Sequence, residues 1–243
     1  MLARKIGPAL AAGCTVVVKP ATATPLSGLV WGHLAEQAGF PSGVVNVLTG
    51  SAREIGGEIT ANKLVRKITF TGSTEIGKQI LREAAGSVKR VSMELGGNAP
   101  FIVFDDADLD KAVDGAMIAK FRNAGQTCIC TNRLYVQSGI YDQFTARFAE
   151  RVAALNVAPG TDAGAEQGPM IDEAALDKME ELVADALSKG AEVITGGSRH
   201  ARGGLFYAPT VLSGATPQMR FTREEIFGPV APVYRFETED EAI

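Results

Sequence analysis

The chain has 243 residues, of which 46% are hydrophobic and 21% are charged, a balance typical of an ordinary globular protein with one or two cores. A net charge of -4 and a pI near 5.4 offer nucleic acid no basic surface, and no membrane segment is expected. The three cysteines, with no leader-like segment at the start, favour free thiols in a reducing compartment and hence a cytoplasmic location.

Helical and β-branched patterns alternate along the first 85 residues. The spacing of apolar residues predicts a helix over 1–12, and the run Thr15–Lys19 predicts a strand buried on both faces of a sheet. Thr24 is expected to cap the next helix, which opens on Pro25 and ends before Gly39. The alternation continues with strands at 44–48 and 67–70, a helix after the capping box Ser51–Glu54, and a helix from the turn Thr71–Ser73 to about Ala85. Three such strand–helix units in succession predict a parallel, doubly wound sheet of the kind that binds nucleotides.

A second α/β domain is predicted to begin near residue 95. Its expected elements are strands at 101–104 and 133–136 and helices at 109–121, about 140–154 and 172–189, the last of which is closed by Gly190. The predicted fold class is therefore α/β, with one domain at 1–94 and another at 95–243.

Both domains are expected to be incomplete. The first helix has no capping residue before it, and the capping box Thr238–Glu241 opens a helix that has almost no room before Ile243. We therefore expect this sequence to be the middle part of a longer protein.

The segment Phe121–Cys130 has the composition of a reactive loop. It places Cys128 in a run of Gly, Asn and Gln directly after a predicted helix, where a cysteine with a packing role is unusual. A carboxylate such as Glu94, 34 residues upstream, can act as the general base that generates a nucleophilic thiolate, provided the fold brings the two together. The alternative is a buried cysteine that only fills space, since free cysteine is among the most buried residue types.

The run Met93–Asn98 and the run Phe121–Cys130 together resemble, in order and spacing, the base and nucleophile motifs of the aldehyde dehydrogenase superfamily. The second run is most similar to that of succinate-semialdehyde dehydrogenases. The resemblance covers the whole chain and implies a partial dinucleotide-binding domain at 1–94 and a partial catalytic domain at 95–243. It also implies that Glu94 and Cys128 are catalytic, that the substrate is an aldehyde, that the cofactor is NAD or NADP, and that the longer protein is a homo-oligomer.

The resemblance assigns cofactor binding to five residues of the first half. Gly72 and Ser73 match the family segment that holds the cofactor pyrophosphate, and Leu95 of the base motif is assigned to the cofactor with them. Lys19 matches a lysine that contacts the adenosine ribose, and Thr22 matches the position that helps to select the cofactor. Because Thr22, unlike a carboxylate, does not repel a 2'-phosphate and Lys19 lies nearby, NADP is slightly favoured over NAD. Without the resemblance, Ser73 would be an ordinary helix cap and Lys19 a solvated lysine.

Four more positions are assigned by resemblance. Glu225 and Phe227 match residues that bind the nicotinamide ribose and pack near the ring, although alone they suggest an exposed acidic turn with one anchoring aromatic residue. Arg122 and Arg4 match the pair that grips the distal carboxylate of succinate semialdehyde. The alternatives are another aldehyde, such as glutarate semialdehyde or an uncharged one, and a non-catalytic chain that at most binds nucleotide or associates with partners.

The remaining cysteines and the histidines give three further predictions. Cys130 is a candidate for a reversible disulfide with Cys128, the alternative being a spectator thiol. Cys14, which precedes a predicted buried strand, is expected in a core. His33 and His200 lack Cys or His partners at ligand spacing, so no metal site is expected.

Overall fold

The computed structural model describes residues 1–243 and divides the chain into two compact units, Met1–Leu95 and Gly96–Ile243. Both units contain parallel strands connected by helices, so the α/β class expected from the sequence is confirmed. None of the eight α-helices combines the length and the apolar character that a membrane-crossing helix requires.

The first unit contains four short strands and four helices. In chain order these are α1 (Leu2–Ala11), β1 (Val16–Val18), α2 (Leu26–Gln37), β2 (Val45–Val47), α3 (Ala52–Ala61), β3 (Lys67–Thr71), α4 (Thr74–Ala85) and β4 (Arg90–Glu94). β1 pairs with β2 and β3 pairs with β4, both in parallel, so this unit holds two separate parallel pairs where the sequence predicted one continuous sheet. β4 was not predicted, because its sequence contains a single β-branched residue, Val91.

Two of the three predicted helix starts in this unit are confirmed. The Ser51 hydroxyl accepts a hydrogen bond from the Glu54 N–H at the start of α3, and the Ser73 hydroxyl accepts one from Ile76 N–H at the start of α4, both at 3.3 Å. The prediction for Thr24 is wrong. Its N–H closes a turn on the Ala21 carbonyl at 3.2 Å, one residue too early to cap α2, which begins after Pro25 without a side-chain cap.

Two burial predictions in the first unit are wrong. β1 is not buried on both faces: Val18 is buried but Val17 is 51% exposed, because only β2 lies beside β1 and one face of the pair is uncovered. Cys14 is exposed and belongs to no core. The reason is that its N–H bonds to the Ala9 carbonyl at 2.9 Å, so Cys14 belongs to the turn that ends α1 and precedes β1.

The second unit is built on one five-stranded sheet. Its elements are β5 (Ala99–Val103), α5 (Leu109–Phe121), a 3-10 helix (Arg122–Gly125), β6 (Thr131–Gln137), α6 (Ser138–Ala153), α7 (Glu173–Ser188), β7 (Glu192–Thr195), β8 (Thr210–Ala215), a second 3-10 helix (Arg220–Thr222), β9 (Val230–Phe236) and α8 (Glu239–Ala242). The strand order is β5-β6-β9-β8-β7, and only β7 runs antiparallel to its neighbour.

Helices cover both faces of this sheet. Side chains alternate along a strand, so Leu134 and Val136 of β6 join one apolar cluster while Tyr135 packs against the other. The first cluster is completed by α5 and α6, where Phe144 and Phe148 are fully buried and stack with ring centroids 5.5 Å apart. The second contains the buried face of α7. Each such side chain contributes about 1.5–3 kcal/mol on burial, so the sheet is a rigid base for the loops at its edges.

The short helix α8 begins after Thr238, as predicted, but the capping box is not formed. Thr238 makes no side-chain cap. Glu241 reaches one residue further back and its carboxylate accepts from the Glu237 N–H at 2.7 Å. The Glu241 carboxylate therefore binds the N–H of Glu237, whereas the capping box in the sequence predicts a bond to the N–H of Thr238.

Candidate active site

The predicted nucleophile loop, Phe121–Cys130, connects α5 to β6. Three consecutive residues, Asn123, Ala124 and Gly125, have left-handed backbone conformations with φ of 54°, 54° and 70°. The chain then turns again where Cys130 N–H bonds to the Thr127 carbonyl at 3.0 Å. These two turns leave Cys128 half-buried at the loop, next to the 73% exposed Ile129.

Gln126 fixes this loop to the chain ahead of α7. Its side-chain amide donates to the Pro169 carbonyl at 3.1 Å and accepts from the Ile171 N–H at 2.9 Å. Both polar ends of the amide are thus bound to main chain of one segment. This anchoring role of Gln126 was not predicted from the sequence.

Three of the predicted motifs meet in the second unit. A Cβ atom added to Gly97 would lie 2.6 Å from the Cys128 carbonyl oxygen, and one added to Gly96 would overlap the Glu225 carboxylate. The Gly97 N–H donates to Glu225 Oε1 at 3.1 Å. The paired glycines after Leu95 are therefore required by close approach, because any larger residue would push Cys128 or Glu225 away.

The segment that carries Glu225 and Phe227 is held from α7 as well. Lys178 Nζ donates to the Glu225 carbonyl at 2.7 Å, a contact that the sequence analysis missed. Phe227 has a left-handed φ of 53° and remains 39% exposed, although its neighbour Ile226 is fully buried. The buried neighbour anchors the segment and leaves the phenyl ring open to a ligand.

In the first unit, Gly72 and Ser73 lie at the start of α4 beside the base motif. The Gly72 N–H donates to the Glu94 carbonyl at 3.1 Å, and a Cβ added to Gly77 would come within 2.5 Å of the Leu95 side chain, so Leu95 packs on the first turn of α4. The Ser73 hydroxyl accepts a hydrogen bond from the Ile76 N–H. The earlier N–H groups of the helix, at positions 74 and 75, have no partner within the chain, which fits an anion such as a pyrophosphate.

Lys19 and Thr22 are in direct contact. Lys19 Nζ donates to the Thr22 hydroxyl at 2.9 Å. A small cavity of about 60 Å³ is lined by Lys19, Pro20, Ala21, Thr22, Pro25, Thr49 and Gly50. The residues predicted to contact the adenosine ribose therefore share one depression at the ends of β1 and β2.

Lys5 is a charged neighbour of Glu94 that was not predicted from the sequence. Its amine donates to the Thr69 hydroxyl at 2.8 Å and to the Phe70 carbonyl at 3.3 Å. Partial burial lowers the pKa of Lys5, and the negative charge of Glu94 opposes that shift. Glu94 itself is exposed at the end of β4.

Arg4 and Arg122 are both exposed, on α1 and at the first position of the 3-10 helix Arg122–Gly125. Neither forms a salt bridge or a side-chain hydrogen bond within the chain. Arg199, by contrast, pairs with three carboxylates of α7: Glu173, Asp177 and Glu180. The two arginines predicted to bind substrate thus have guanidinium groups that no residue of the chain occupies.

Cys130 and Lys120 are buried together beneath the nucleophile loop. The Cys130 thiol is 5% exposed and donates to the Lys120 carbonyl at 3.2 Å. Lys120 is fully buried, and its amine has no hydrogen-bond partner of normal geometry. Burial lowers the pKa of Lys120, and the nearby Cys130 opposes that shift. All three cysteines are free, and the disulfide between Cys128 and Cys130 stays a prediction.

The chain is thus an α/β protein in which a cysteine loop, a pair of closely packed glycines and a carboxylate-bearing segment converge. It belongs to the aldehyde dehydrogenase family, whose profile ("Aldehyde dehydrogenase family") matches residues 1–243.

Two relatives illustrate the similarity in sequence. The chain is 58% identical over 243 residues to a glutarate-semialdehyde dehydrogenase of Pseudomonas aeruginosa, and 57% identical over 243 residues to the succinate-semialdehyde dehydrogenase [NADP(+)] GabD of Escherichia coli. Each alignment covers 100% of this chain and 50% of the relative. The chain therefore spans about half the length of the curated relatives it matches.

Solved structures give the same result. The crystal structure of succinate-semialdehyde dehydrogenase from Burkholderia pseudomallei superposes with a TM-score of 0.98 at 55% sequence identity, over 100% of this chain and 50% of that one. The backbone of this chain is therefore similar throughout to the matching half of an aldehyde dehydrogenase.

Proposed function

We propose that the protein containing this chain is an NAD(P)-dependent dehydrogenase of aldehydes that carry a second, distal carboxylate. In it, Cys128 is the nucleophile and Glu94 is the general base. The observation that carries the proposal is the convergence of Cys128 with Gly97 and Glu225, which places the thiol loop against the motif that follows Glu94.

The chemistry assigned to the chain is the oxidation of an aldehyde through a covalent bond to sulfur. Glu94, directly or through a water molecule, accepts the Cys128 proton, and the thiolate attacks the aldehyde carbon to form a thiohemiacetal. The Cys128 backbone N–H stabilises the oxyanion. A nicotinamide held by Glu225 and Phe227 would supply the acceptor for the hydride of the thiohemiacetal carbon, and this oxidation would leave the acyl group on Cys128 as a thioester. Glu94 then activates the water that hydrolyses this thioester to the carboxylate.

The cofactor is assigned to both halves of the chain. Ser73 and the free N–H groups that follow it suit the pyrophosphate, while Glu225 and the open ring of Phe227 suit the nicotinamide side. Thr22, in contact with Lys19, does not repel a 2'-phosphate, so we favour NADP over NAD. The E. coli relative, whose name specifies NADP(+), supports this choice.

The substrate class rests on Arg4 and Arg122. Two exposed guanidinium groups without internal partners suit bidentate recognition of a carboxylate. Succinate semialdehyde and glutarate semialdehyde, named in the two relatives, both have a carboxylate at the end opposite the aldehyde. They differ by one methylene group, and we favour succinate semialdehyde because the loop Phe121–Cys130 resembles that subfamily.

The proposal is tested in a chimera in which this chain replaces the matching half of the E. coli relative. Cys128→Ser is expected to reduce NADP-dependent oxidation of succinate semialdehyde by at least about 10³-fold, as loss of a nucleophile does. Cys14→Ser is the matched control, because Cys14 is an exposed thiol outside the site. Glu94→Gln is expected to lower kcat by roughly 10²–10⁴-fold with NADP affinity retained.

Three results would count against these roles. Equal activity of the Cys128→Ser and Cys14→Ser variants would exclude the assigned nucleophile. A Glu94→Gln variant that loses NADP affinity but not kcat would make Glu94 a binding residue. No activity of the unsubstituted chimera on either semialdehyde, in a folded protein that binds NADP, would exclude the proposed substrate class.

A further inference from the structure

Asn132 lies four residues after Cys128, in β6, and is only 1% exposed. Its side-chain amide donates to the Glu224 carbonyl at 3.1 Å and accepts from the Ile226 N–H at 3.2 Å. The two bonds flank Glu225 on either side. Asn132 thus holds the main chain at Glu225 as a neighbouring strand would, with both polar ends of the amide satisfied.

The same segment has two other fixed contacts in the second unit. Lys178 holds the Glu225 carbonyl from α7. A Cβ added to Gly125 of the nucleophile loop would overlap the Gly228 carbonyl oxygen, so the loop and the segment Glu224–Gly228 are packed main chain against main chain. Asn132 is the side chain that joins them through hydrogen bonds, since it belongs to the strand that the nucleophile loop enters.

We infer that Asn132 is a positioning residue that sets the separation between the Cys128 loop and the Glu225–Phe227 segment. The inference rests on the proposed function, in which Glu225 and Phe227 contact the nicotinamide end of the cofactor and Cys128 holds the substrate. Asn132 touches neither cofactor nor substrate. Its effect is to keep the carboxylate and the ring at a fixed distance from the sulfur, so its loss is felt in cofactor binding and hydride transfer.

Alternative roles make different predictions. A buried amide that only stabilises the fold would, on removal, affect every activity of the protein to the same extent. A positioning residue affects the steps that need the cofactor and spares thiol chemistry that does not. Acylation of Cys128 by p-nitrophenyl acetate without cofactor separates the two cases.

The test compares Asn132→Leu with Gln167→Leu in the chimera described above. Gln167 is the control: it is also 1% exposed and in the second unit, its amide donates at 2.8 Å to the Tyr207 carbonyl, its amide oxygen is unpaired, and it makes no hydrogen bond to the segment Glu224–Gly228. Asn132→Leu is expected to raise the NADP KM and its calorimetric Kd roughly tenfold, the effect of losing two buried hydrogen bonds. Acylation by p-nitrophenyl acetate should stay within about twofold, and Gln167→Leu should leave NADP affinity unchanged.

Asn132→Asp gives a second comparison, with a side chain of nearly the same size as asparagine. It keeps the acceptor for Ile226 N–H but places a carboxylate against the Glu224 carbonyl, so NADP affinity should fall at least as far as in Asn132→Leu.

Two results would overturn the inference. One is an NADP Kd for Asn132→Leu equal to that of the unsubstituted chimera. The other is a parallel loss of NADP binding and of ester acylation in Asn132→Leu, whether or not Gln167→Leu shows the same loss. Failure of the proposed function is distinguishable from both, because a chimera that binds NADP but oxidises no semialdehyde still reports on Asn132 through the Kd.

Discussion

The two units contain the same alternation of strands and helices but very different amounts of core. Apart from prolines, residues 1–95 bury only four apolar side chains, Ile6, Val18, Ile68 and Ala84, whereas residues 96–243 bury 35. The strands of the first unit form isolated pairs, and those of the second form one five-stranded sheet. An α/β pattern therefore predicts the class of fold, but a parallel strand becomes stable only when both of its faces are covered.

The exposed apolar residues show the same difference. Leu26, Leu64 and Val88 of the first unit are 75%, 86% and 89% exposed. Amide exchange followed by mass spectrometry should therefore detect fast opening across β1–β4 and slow opening across β5, β6 and β9.

Removal of a central ring from the second unit should have the largest effect. Phe148 is fully buried and packs against Phe144 and Phe121, with ring centroids 5.5 and 5.9 Å away. Phe148→Ala is expected to destabilise the second unit by about 3–5 kcal/mol, measured as faster exchange in β6 and α6. Exchange in β1–β4 should not change, and acceleration there of similar size would show that the two units unfold together.

Arg122→Ala tests the carboxylate recognition proposed for Arg122 and Arg4. In the chimera, kcat/KM for succinate semialdehyde should fall by about 1.5–3 kcal/mol, the contribution of one charge-assisted hydrogen bond. Arg4→Ala in the first unit should give a similar loss, with the double variant less than additive. Butanal, which is uncharged and equally long, should be affected little. An equal loss with butanal would instead indicate that the variant distorts the nucleophile loop.

Lys120→Met should stabilise the second unit by about 1–3 kcal/mol near pH 7, because it removes a buried amine without a hydrogen-bond partner. The pH dependence has a defined sign. The folded pKa of Lys120 lies below its ordinary value of 10.5, so the unfolded chain binds more protons between these two values. Stability of the unsubstituted chain should therefore rise with pH across that window.

The difference between the two proteins isolates this effect, since all other groups titrate in both. Denaturant unfolding at several pH values should show the advantage of Lys120→Met shrinking as the pH approaches 10.5. A constant difference would mean that Lys120 keeps its ordinary pKa in the folded protein.

The smallest effects are expected from two matched helix caps. Ser73 caps α4 in the first unit, and Asp172 caps α7 in the second by accepting from the Ala175 N–H at 2.8 Å. Alanine at either position should cost about 1 kcal/mol locally. Exchange should accelerate visibly in α4, whose unit has little core, and hardly at all in α7, whose inner face is buried. Equal acceleration would contradict the difference in stability between the units.

Local sequence signals predicted the helices well and the late strands poorly. The helix predicted at 109–121 is α5, because Asp108 caps it through the Lys111 N–H and its apolar residues keep helical spacing. β7, β8 and β9 were not predicted. β9 contains Pro232, which normally argues against an inner strand, yet it lies between β6 and β8. Its place is decided by tertiary packing, which no local pattern contains.

The site divides in the same way. Resemblance to a family predicted Cys128 and Glu225, whereas the residues that hold them in place were missed. The Gln126 side chain donates to the Pro169 carbonyl, 43 residues further along the chain. The donor and acceptor of the Lys178–Glu225 hydrogen bond are 47 residues apart. Spacings of this size follow from the order of strands in the sheet and have no signature in sequence. The prediction that Cys14 lies in a core was wrong for a local reason, because a single turn between α1 and β1 leaves its side chain exposed.

The left-handed run Asn123–Gly125 limits how the nucleophile loop can be varied in directed evolution. Ala124 has a Cβ at φ 54°, which costs about 1–2 kcal/mol relative to an unstrained alanine. A variant library at position 124 should therefore retain mainly Gly besides Ala, because the site is 3% exposed, and position 125 should retain only glycine, because Gly228 leaves no room there. Diversity can be placed at position 129, where the side chain is exposed. A library that follows this division would vary the exposed part of the loop and contain few variants that fail to fold.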